Sequence, residues 1–215
     1  NIVCGMTWGR AMHEFVEQLA KDERLRSLSF QNVKVVPFLG TPGAIQSDSW
    51  NTTTYSNTLA TKVGNLLHCA SYNLSAPMYV EGTKEKELIE SIDEIAKVLH
   101  MAETADIALI GIGSMQDDSS IIKAEIRTKE EYKELVRKGA VGEIVGRIYD
   151  KNGQTVDEDL KRKMVGISLD KIAKIPVRVG MSYGKDKIEA IKGAIAGGLV
   201  NVLVTDVPTA ELLLK

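Results

Sequence analysis

The residues of this chain best placed to do chemistry lie in glycine-containing segments that follow short apolar runs. The first is Gly5-Met6-Thr7-Trp8-Gly9-Arg10, between the run Ile2 to Cys4 and an amphipathic stretch. Its glycines let the backbone come close to a ligand. Free N–H groups at a helix start, with the dipole behind them, favour an anion, which Arg10 would also attract. The competing reading is a tight turn that needs glycine for its dihedrals alone, and Trp8 reads as a wall or packing residue. Gly111-Ile112-Gly113-Ser114 follows the most apolar run but lacks the full dinucleotide fingerprint. Tyr183-Gly184-Lys185-Asp186-Lys187 sets two lysines at a helix start, against the dipole. A bound phosphate would relieve that conflict, and Lys187 suits it better than Lys185. The competing reading has both lysines solvated and compensated by Asp186. In Gly142 to Arg147, Glu143 could accept hydrogen bonds from ligand hydroxyls, and Arg147 could pair with Glu143 or with a phosphate. An ordinary edge ion pair explains the same residues equally well. The long stretch from Phe38 to Thr54 has the length of a lid or binding loop. Gly40, Thr41 and Gly43 begin it, and Asn57 starts the helix after it. It holds no lysine that could form a Schiff base.

The usual catalytic sets are poorly represented. His13, His68 and His100 fall within helical patterns, away from strand ends. There is no G-x-S-x-G elbow, Walker sequence or H-E-x-x-H. Asp117-Asp118 could be an acid/base pair but reads better as a capping or solvated loop pair. Cys4 and Cys69 are far apart without metal-ligand spacing, and are expected to be reduced, buried thiols. No catalytic residue, metal or cofactor is expected.

These segments need elements to hold them. Apolar runs at Ile2 to Cys4, Val33 to Pro37, Ile107 to Ile112, Val177 to Met181 and Val202 to Thr205 read as strands, and Ala76 to Val80 as a further one weakened by Pro77. Helical spacing recurs from Ala11 to Ala20, Leu59 to Ala70, Lys84 to Glu103, Lys129 to Arg137, Asp186 to Ala196 and onward from Pro208. Glu143 to Tyr149 and Val165 to Ile167 add strand candidates, with Asn152-Gly153 as a hairpin signal between them. The alternation predicts an α/β fold: a mostly parallel sheet flanked by helices, with a small antiparallel excursion. Ligands bind such sheets at the carboxyl ends of the strands, where the four glycine segments fall.

The 215 residues read as a single domain with no repeat or linker, 44% hydrophobic and 26% charged. No apolar run is long enough for a membrane helix, and NIVCGMTWGR has no signal-peptide pattern, so a cytoplasmic protein is expected. A formal charge of −2 and a pI near 6.0 make direct contact of this segment with nucleic acid a poor expectation. The absence of an initiator Met and the immediate strand suggest a segment upstream.

Four blocks in order, CGMTWGRAM (from Cys4), ADIALIGIGS (from Ala105), GAVGEIVGRIYDKNG (from Gly139) and KIPVRVGMSYGKDKIEAIKGAIAGGLVNVLVTDVPTAELLL (from Lys174), resemble the effector domain of the sorbitol-operon-regulator (SorC) family of bacterial transcription regulators. The resemblance implies a fold similar to sugar-phosphate isomerases, glucosamine-phosphate deaminases and CoA-transferases. It implies an N-terminal helix-turn-helix that contacts operator DNA, and a homodimer or homotetramer controlled by a phosphorylated sugar. It implies that Gly5, Thr7, Trp8, Gly9, Arg10 and Lys187 serve the phosphate, and that Glu143 serves the sugar. Gly40, Thr41, Asn57, Gly111, Gly113 and Ser114 complete the expected effector site. Where the family often has Asn-Gly-Gly, this chain has Leu39-Gly40-Thr41-Pro42-Gly43. The alternative function is a sugar-phosphate isomerase or deaminase of the same fold. Those deaminases carry an Asp and a His soon after the Gly-Ile-Gly turn, whereas Ser114-Met115-Gln116-Asp117 follows it here.

Overall fold

The computed structural model describes residues 1–42 and 52–215. In chain order the first half runs β1 (Ile2–Met6), α1 (Arg10–Leu19), β2 (Val33–Pro37), α2 (Ser56–Leu66), β3 (Ala70–Ser71), α3 (Thr83–Glu90), α4 (Asp93–Glu103) and β4 (Ile107–Gly111). The second half runs β5 (Gly113–Ser114), α5 (Ser120–Lys123), α6 (Lys129–Arg137), β6 (Ala140–Ile144), β7 (Arg147–Asp150), α7 (Glu158–Lys163), α8 (Leu169–Ile172), β8 (Val177–Met181), α9 (Ile188–Ala196), β9 (Val202–Val204) and α10 (Val207–Leu213). Six strands form one sheet in the order β3-β2-β1-β4-β8-β9, every pairing parallel. β5, β6 and β7 form a separate antiparallel sheet.

Parallel strands are covered on both faces, and the side chains show how. Met12 and Val16, one turn apart on α1, pack with Met6, Val35, Leu59, Val63 and Met181 to close one face. Ala102 of α4 joins Val36, Ala108 and Ile110 in the main cluster, which also takes in the antiparallel sheet through Ile144, Ile148 and Tyr149. Helix α6 starts at a capping box, with Thr128 and Glu131 each satisfying a backbone N–H of the other.

The strand order reverses once. From β1 the chain moves outward through β2 and β3, then returns to place β4 on the other side of β1. The segments leaving the carboxyl ends of β1 and β4 therefore diverge, opening a crevice at this switch point. The Thr7–Gly9 and Ile112–Ser114 segments border it.

Four local expectations change. Ala76 to Val80 is not a strand: it makes only isolated bridges, Pro77 to Thr41 and Tyr79 to Met164. Pro77 has no N–H for a ladder, and the third parallel strand is Ala70–Ser71 instead. The helix expected to reach Ala70 stops at Leu66, because His68 takes a left-handed φ of 49° that turns the chain into β3. Val165 to Ile167 likewise contributes only the Leu39 to Gly166 bridge. Glu143 to Tyr149 is two strands, not one. Ile144 pairs with Arg147 across a two-residue turn in which Val145 and Gly146 have φ of 55° and 69°. Positive φ at both central positions is the hairpin turn whose twist matches the strands. For a β-branched valine it is strained. The expected turn at Asn152-Gly153 is present as well, closed by the Gly153 N–H donating to the Asp150 carbonyl.

Candidate functional site

A cleft of about 350 Å³ lies at the carboxyl ends of β1, β4 and β8. Its floor and walls come from Trp8, Gly9, Arg10, Gly111, Gly113, Ser114, Glu143 and Lys187 among the expected residues. Asp118, Ser119, Ser120, Ser182, Tyr183 and Asp186 complete it.

The β1 side is built around an uncapped helix start. Gly9 takes a φ of 108° at the N-cap of α1 with no side-chain cap, and the first turn carries no acidic residue. The N–H groups of that turn have no intrahelical acceptor, which suits an anion. Arg10 opens the helix and reaches Asp118, on the segment leading into α5, with Nη2 2.6 Å from Oδ2.

The β4 and β8 side is polar, with Ser114 and Ser182 buried and Asp186 exposed. Ser114 Oγ accepts a hydrogen bond from Lys187 Nζ at 2.7 Å and donates to Asp186 Oδ2 at 3.2 Å. Lys187 is the residue before α9, at the end of a short 3₁₀ turn from Lys185 to Lys187, rather than inside the helix. Its side chain is only 20% exposed, so this cation is largely buried rather than solvated. Lys185 does not line the cleft. Ser182 Oγ donates to the Ile112 carbonyl at 3.1 Å, tying the ends of β8 and β4 together.

Glu143 sits beneath the cleft because β5 pairs Gly113 with Glu143. A Cβ at Gly113 would come within 2.8 Å of Glu143 Oε2, so glycine is what lets the carboxylate meet the cleft wall. Glu143 is 7% exposed. Burial raises its pKa above the usual carboxylate value, opposed by hydrogen bonds from the Gly146 N–H and the Trp8 side chain and by the charges of Lys187 and Arg147. Trp8, 5% exposed and part of the main apolar cluster, is a wall residue that also holds Glu143.

The remaining expected residues support the cleft or lie away from it. Thr7 is fully buried behind the wall, where its Oγ1 accepts the Gly111 N–H at 2.8 Å and so joins β1 to β4. Gly5 makes room for the Phe38 ring, which an added Cβ would meet at 1.9 Å. Gly40 lets its backbone cross the Ala76 and Pro77 carbonyls. Asn57 clamps Leu74 through its backbone N–H and carbonyl, and donates to Thr41 Oγ1 at 3.0 Å. Gly5, Thr7, Gly40, Thr41 and Asn57 therefore line no part of the cleft among the described residues. Gly43 and the middle of the long loop lie outside those residues. Asp118 and Asp186, read from the sequence as capping or compensating charges, are both in the cleft. Neither has a sequence signal that separates it from an ordinary loop acid.

Arg147 is elsewhere. It is 2% exposed, and its guanidinium donates to the carbonyls of Val145, Met164 and Gly166, not to Glu143. Loss of hydration lowers its pKa to about 10. It borders a second concavity of about 440 Å³ with Lys86, Glu90, Lys161 and Glu103. Those charges are matched by neighbours: Lys86 to Glu90 at 2.6 Å, Lys161 to Glu158 at 3.3 Å and Glu103 to Lys171 at 3.0 Å. Arg147 acts as a pin between the hairpin turn and the 164–166 segment.

No His/Cys/Asp/Glu group that could hold a metal occurs among the described residues, and no described helix is long and apolar enough to cross a membrane. None of the histidines lines the cleft.

Residues 1–215 match the family model of the sugar-binding domain, Sugar-bind. The chain belongs to this sugar-binding domain family. It is 30% identical over 215 residues to the sorbitol operon regulator of Klebsiella pneumoniae, covering 99% of this chain and 65% of that protein. It is 35% identical over 159 residues to the transcriptional regulator LsrR of Escherichia coli O157:H7, covering 72% of this chain and 50% of that protein. The full-length crystal structure of the Klebsiella pneumoniae regulator SorC superposes with a TM-score of 0.87 at 30% identity, over 100% of this chain and 66% of that one. This family member thus spans between half and two thirds of the length of these two regulators. The resemblance to the SorC family and the α/β architecture rest on both sequence and fold.

Proposed function

We propose that this domain is the effector-binding module of a transcription regulator of sugar metabolism, that its ligand is a phosphorylated sugar, and that it performs no covalent chemistry on it. The observation that carries this reading is the cleft itself. At the switch point of a parallel sheet, Arg10, Lys187 and an uncapped helix start offer an anion site. Glu143, in the same cleft, offers an acceptor for hydroxyls. The similarity to the sorbitol operon regulator and to the transcriptional regulator LsrR supports a sensor over an isomerase or deaminase. Within the cytoplasm, the ligand would bias an equilibrium between states of a homodimer or homotetramer. It would thereby change operator binding through a helix-turn-helix elsewhere in the protein, by no more than its differential affinity for those states.

A thermal-shift screen of phosphorylated sugars and their dephosphorylated forms tests the reading. A ligand at 100 times its Kd stabilises by about 2.7 kcal/mol, and the sugar should be recovered unchanged. A shift with a phosphosugar and none with its parent sugar is expected. No shift with any phosphosugar, or conversion of the bound one, would overturn the proposal.

A further inference from the structure

Trp8 and Tyr183 both line the cleft, in opposite settings. Trp8 is buried and belongs to the main apolar cluster. Tyr183 is 60% exposed and joins none of the apolar clusters among the described residues. Its backbone is nevertheless fixed on both sides. Ser182 is buried and donates to the Ile112 carbonyl at 3.1 Å. The Gly184 N–H donates to Thr209 Oγ1 at 2.8 Å, and Thr209 is buried in turn. A rigid root therefore presents to the cleft an aromatic ring that serves no core. In the sheet β4 separates β1 from β8, and Gly111 and Gly113 at its end add only backbone to the cleft lining. The cleft thus keeps open space beside an exposed aromatic, next to the cation Lys187 and the buried carboxyl of Glu143.

We propose that Tyr183 is a specificity-determining residue whose ring packs on the C–H face of the bound sugar, so that the cleft selects a closed-ring phosphosugar over an open-chain polyol phosphate. This role rests on the phosphosugar reading given above. A closed sugar ring carries its hydroxyls around the rim and gathers C–H bonds on its faces. Those faces are apolar and slightly positive, and the face of an aromatic ring is negative. Covering Tyr183 with such a face removes apolar surface of both partners from water. An open-chain polyol has no flat C–H face to offer. It also loses more rotor freedom when it is held between a phosphate subsite and Glu143. The cations of the cleft cannot make this distinction, because both ligands carry the same phosphate.

The test titrates three probes into the 215-residue chain and its Tyr183→Ala and Tyr183→Phe variants. The probes are the phosphosugar giving the largest thermal shift, the open-chain alditol phosphate of the same sugar, and inorganic phosphate. The wild type should prefer the closed-ring ligand to the alditol. Tyr183→Ala should keep the wild-type melting temperature, weaken the closed-ring ligand about three- to tenfold, and narrow its preference over the alditol. It should still bind inorganic phosphate, which has no C–H face. Tyr183→Phe, which keeps the ring, should restore the closed-ring affinity. An alditol bound as tightly as the closed ring by the wild type would overturn the selection. An unchanged closed-ring affinity in Tyr183→Ala, or the same loss for all three probes, would overturn the packing role. A Tyr183→Phe variant as weak as Tyr183→Ala would assign the effect to the hydroxyl instead of the ring face. If the wild type binds neither inorganic phosphate nor any phosphosugar, the anion-site reading falls and this role falls with it.

Discussion

Replacing Lys187 by alanine separates a phosphate-binding role from a structural one. Lys187 Nζ sits 2.7 Å from Ser114 Oγ and 3.3 Å from Asp186 Oδ2, and its side chain is only 20% exposed. A hydrogen bond to a charged group in such a setting is worth about 1.5–3 kcal/mol. Alanine also leaves Asp186 beside the cleft without its cation, and that charge then repels an incoming anion. The loss should therefore fall toward the upper end, roughly 50- to 150-fold in Kd. Calorimetric titration with the phosphosugar found in the screen, and with the same sugar lacking phosphate, reads the effect directly. The variant should lose most of its affinity for the phosphorylated ligand and little for the parent sugar. The difference between the two losses is the coupling between Lys187 and the phosphate. Equal losses for both ligands would mean that Lys187 shapes the cleft rather than binding phosphate. No loss for either would remove it from the site. Lys187→Met, which keeps most of the stem, controls for packing and should behave like the alanine variant toward phosphate.

Two further outcomes follow from the β6–β7 hairpin. Arg147→Met should destabilise the fold by roughly 2–4 kcal/mol, because it strands three buried carbonyls that the guanidinium now satisfies. A denaturation midpoint indistinguishable from wild type would contradict the pin role. Glu143 makes stability depend on pH in a defined direction. Its folded pKa lies above the ordinary 4.5, so the native chain holds this proton to higher pH than the unfolded chain. That contribution is fully present below 4.5 and is lost as pH rises through the raised value. Urea midpoints from pH 4 to 8 should show this fall in the wild type and a flatter profile in Glu143→Gln. Identical slopes in the two proteins would show that Glu143 titrates normally.

Much of the architecture was legible because local periodicity and burial agree. Ile107 to Gly111 is apolar throughout, and Val177 to Met181 and Lys129 to Arg137 form as their patterns indicate, since each sits against neighbours that reward the same period. Where propensity and tertiary demand part, the sequence misleads. Glu143 to Tyr149 has strand composition throughout, yet its pairing requires a turn at Val145, a residue no turn rule selects. Ala76 to Val80 has strand-forming residues, but its neighbours offer only single bridges.

The site divides along the same line. The glycine segments after β1 and β4, Arg10 and Lys187 announce themselves in the chain, because close backbone approach and helix-start chemistry are local properties. From sequence and its family resemblance alone came the α/β class, the sensor reading and several residues that line the cleft, Gly9, Arg10, Ser114 and Lys187 among them. The tertiary structure decided the rest. Only the pairing of β5 with β6 brings Glu143 under Gly113, and only the path into α5 brings Asp118 across to Arg10. Only the packed interior turns Arg147 away from Glu143 toward three carbonyls. It likewise places Gly40, Thr41 and Asn57 in a backbone clamp outside the cleft. These are contacts between residues distant in sequence. Their partners are chosen by how the layers pack, and no local pattern of residue types encodes that choice.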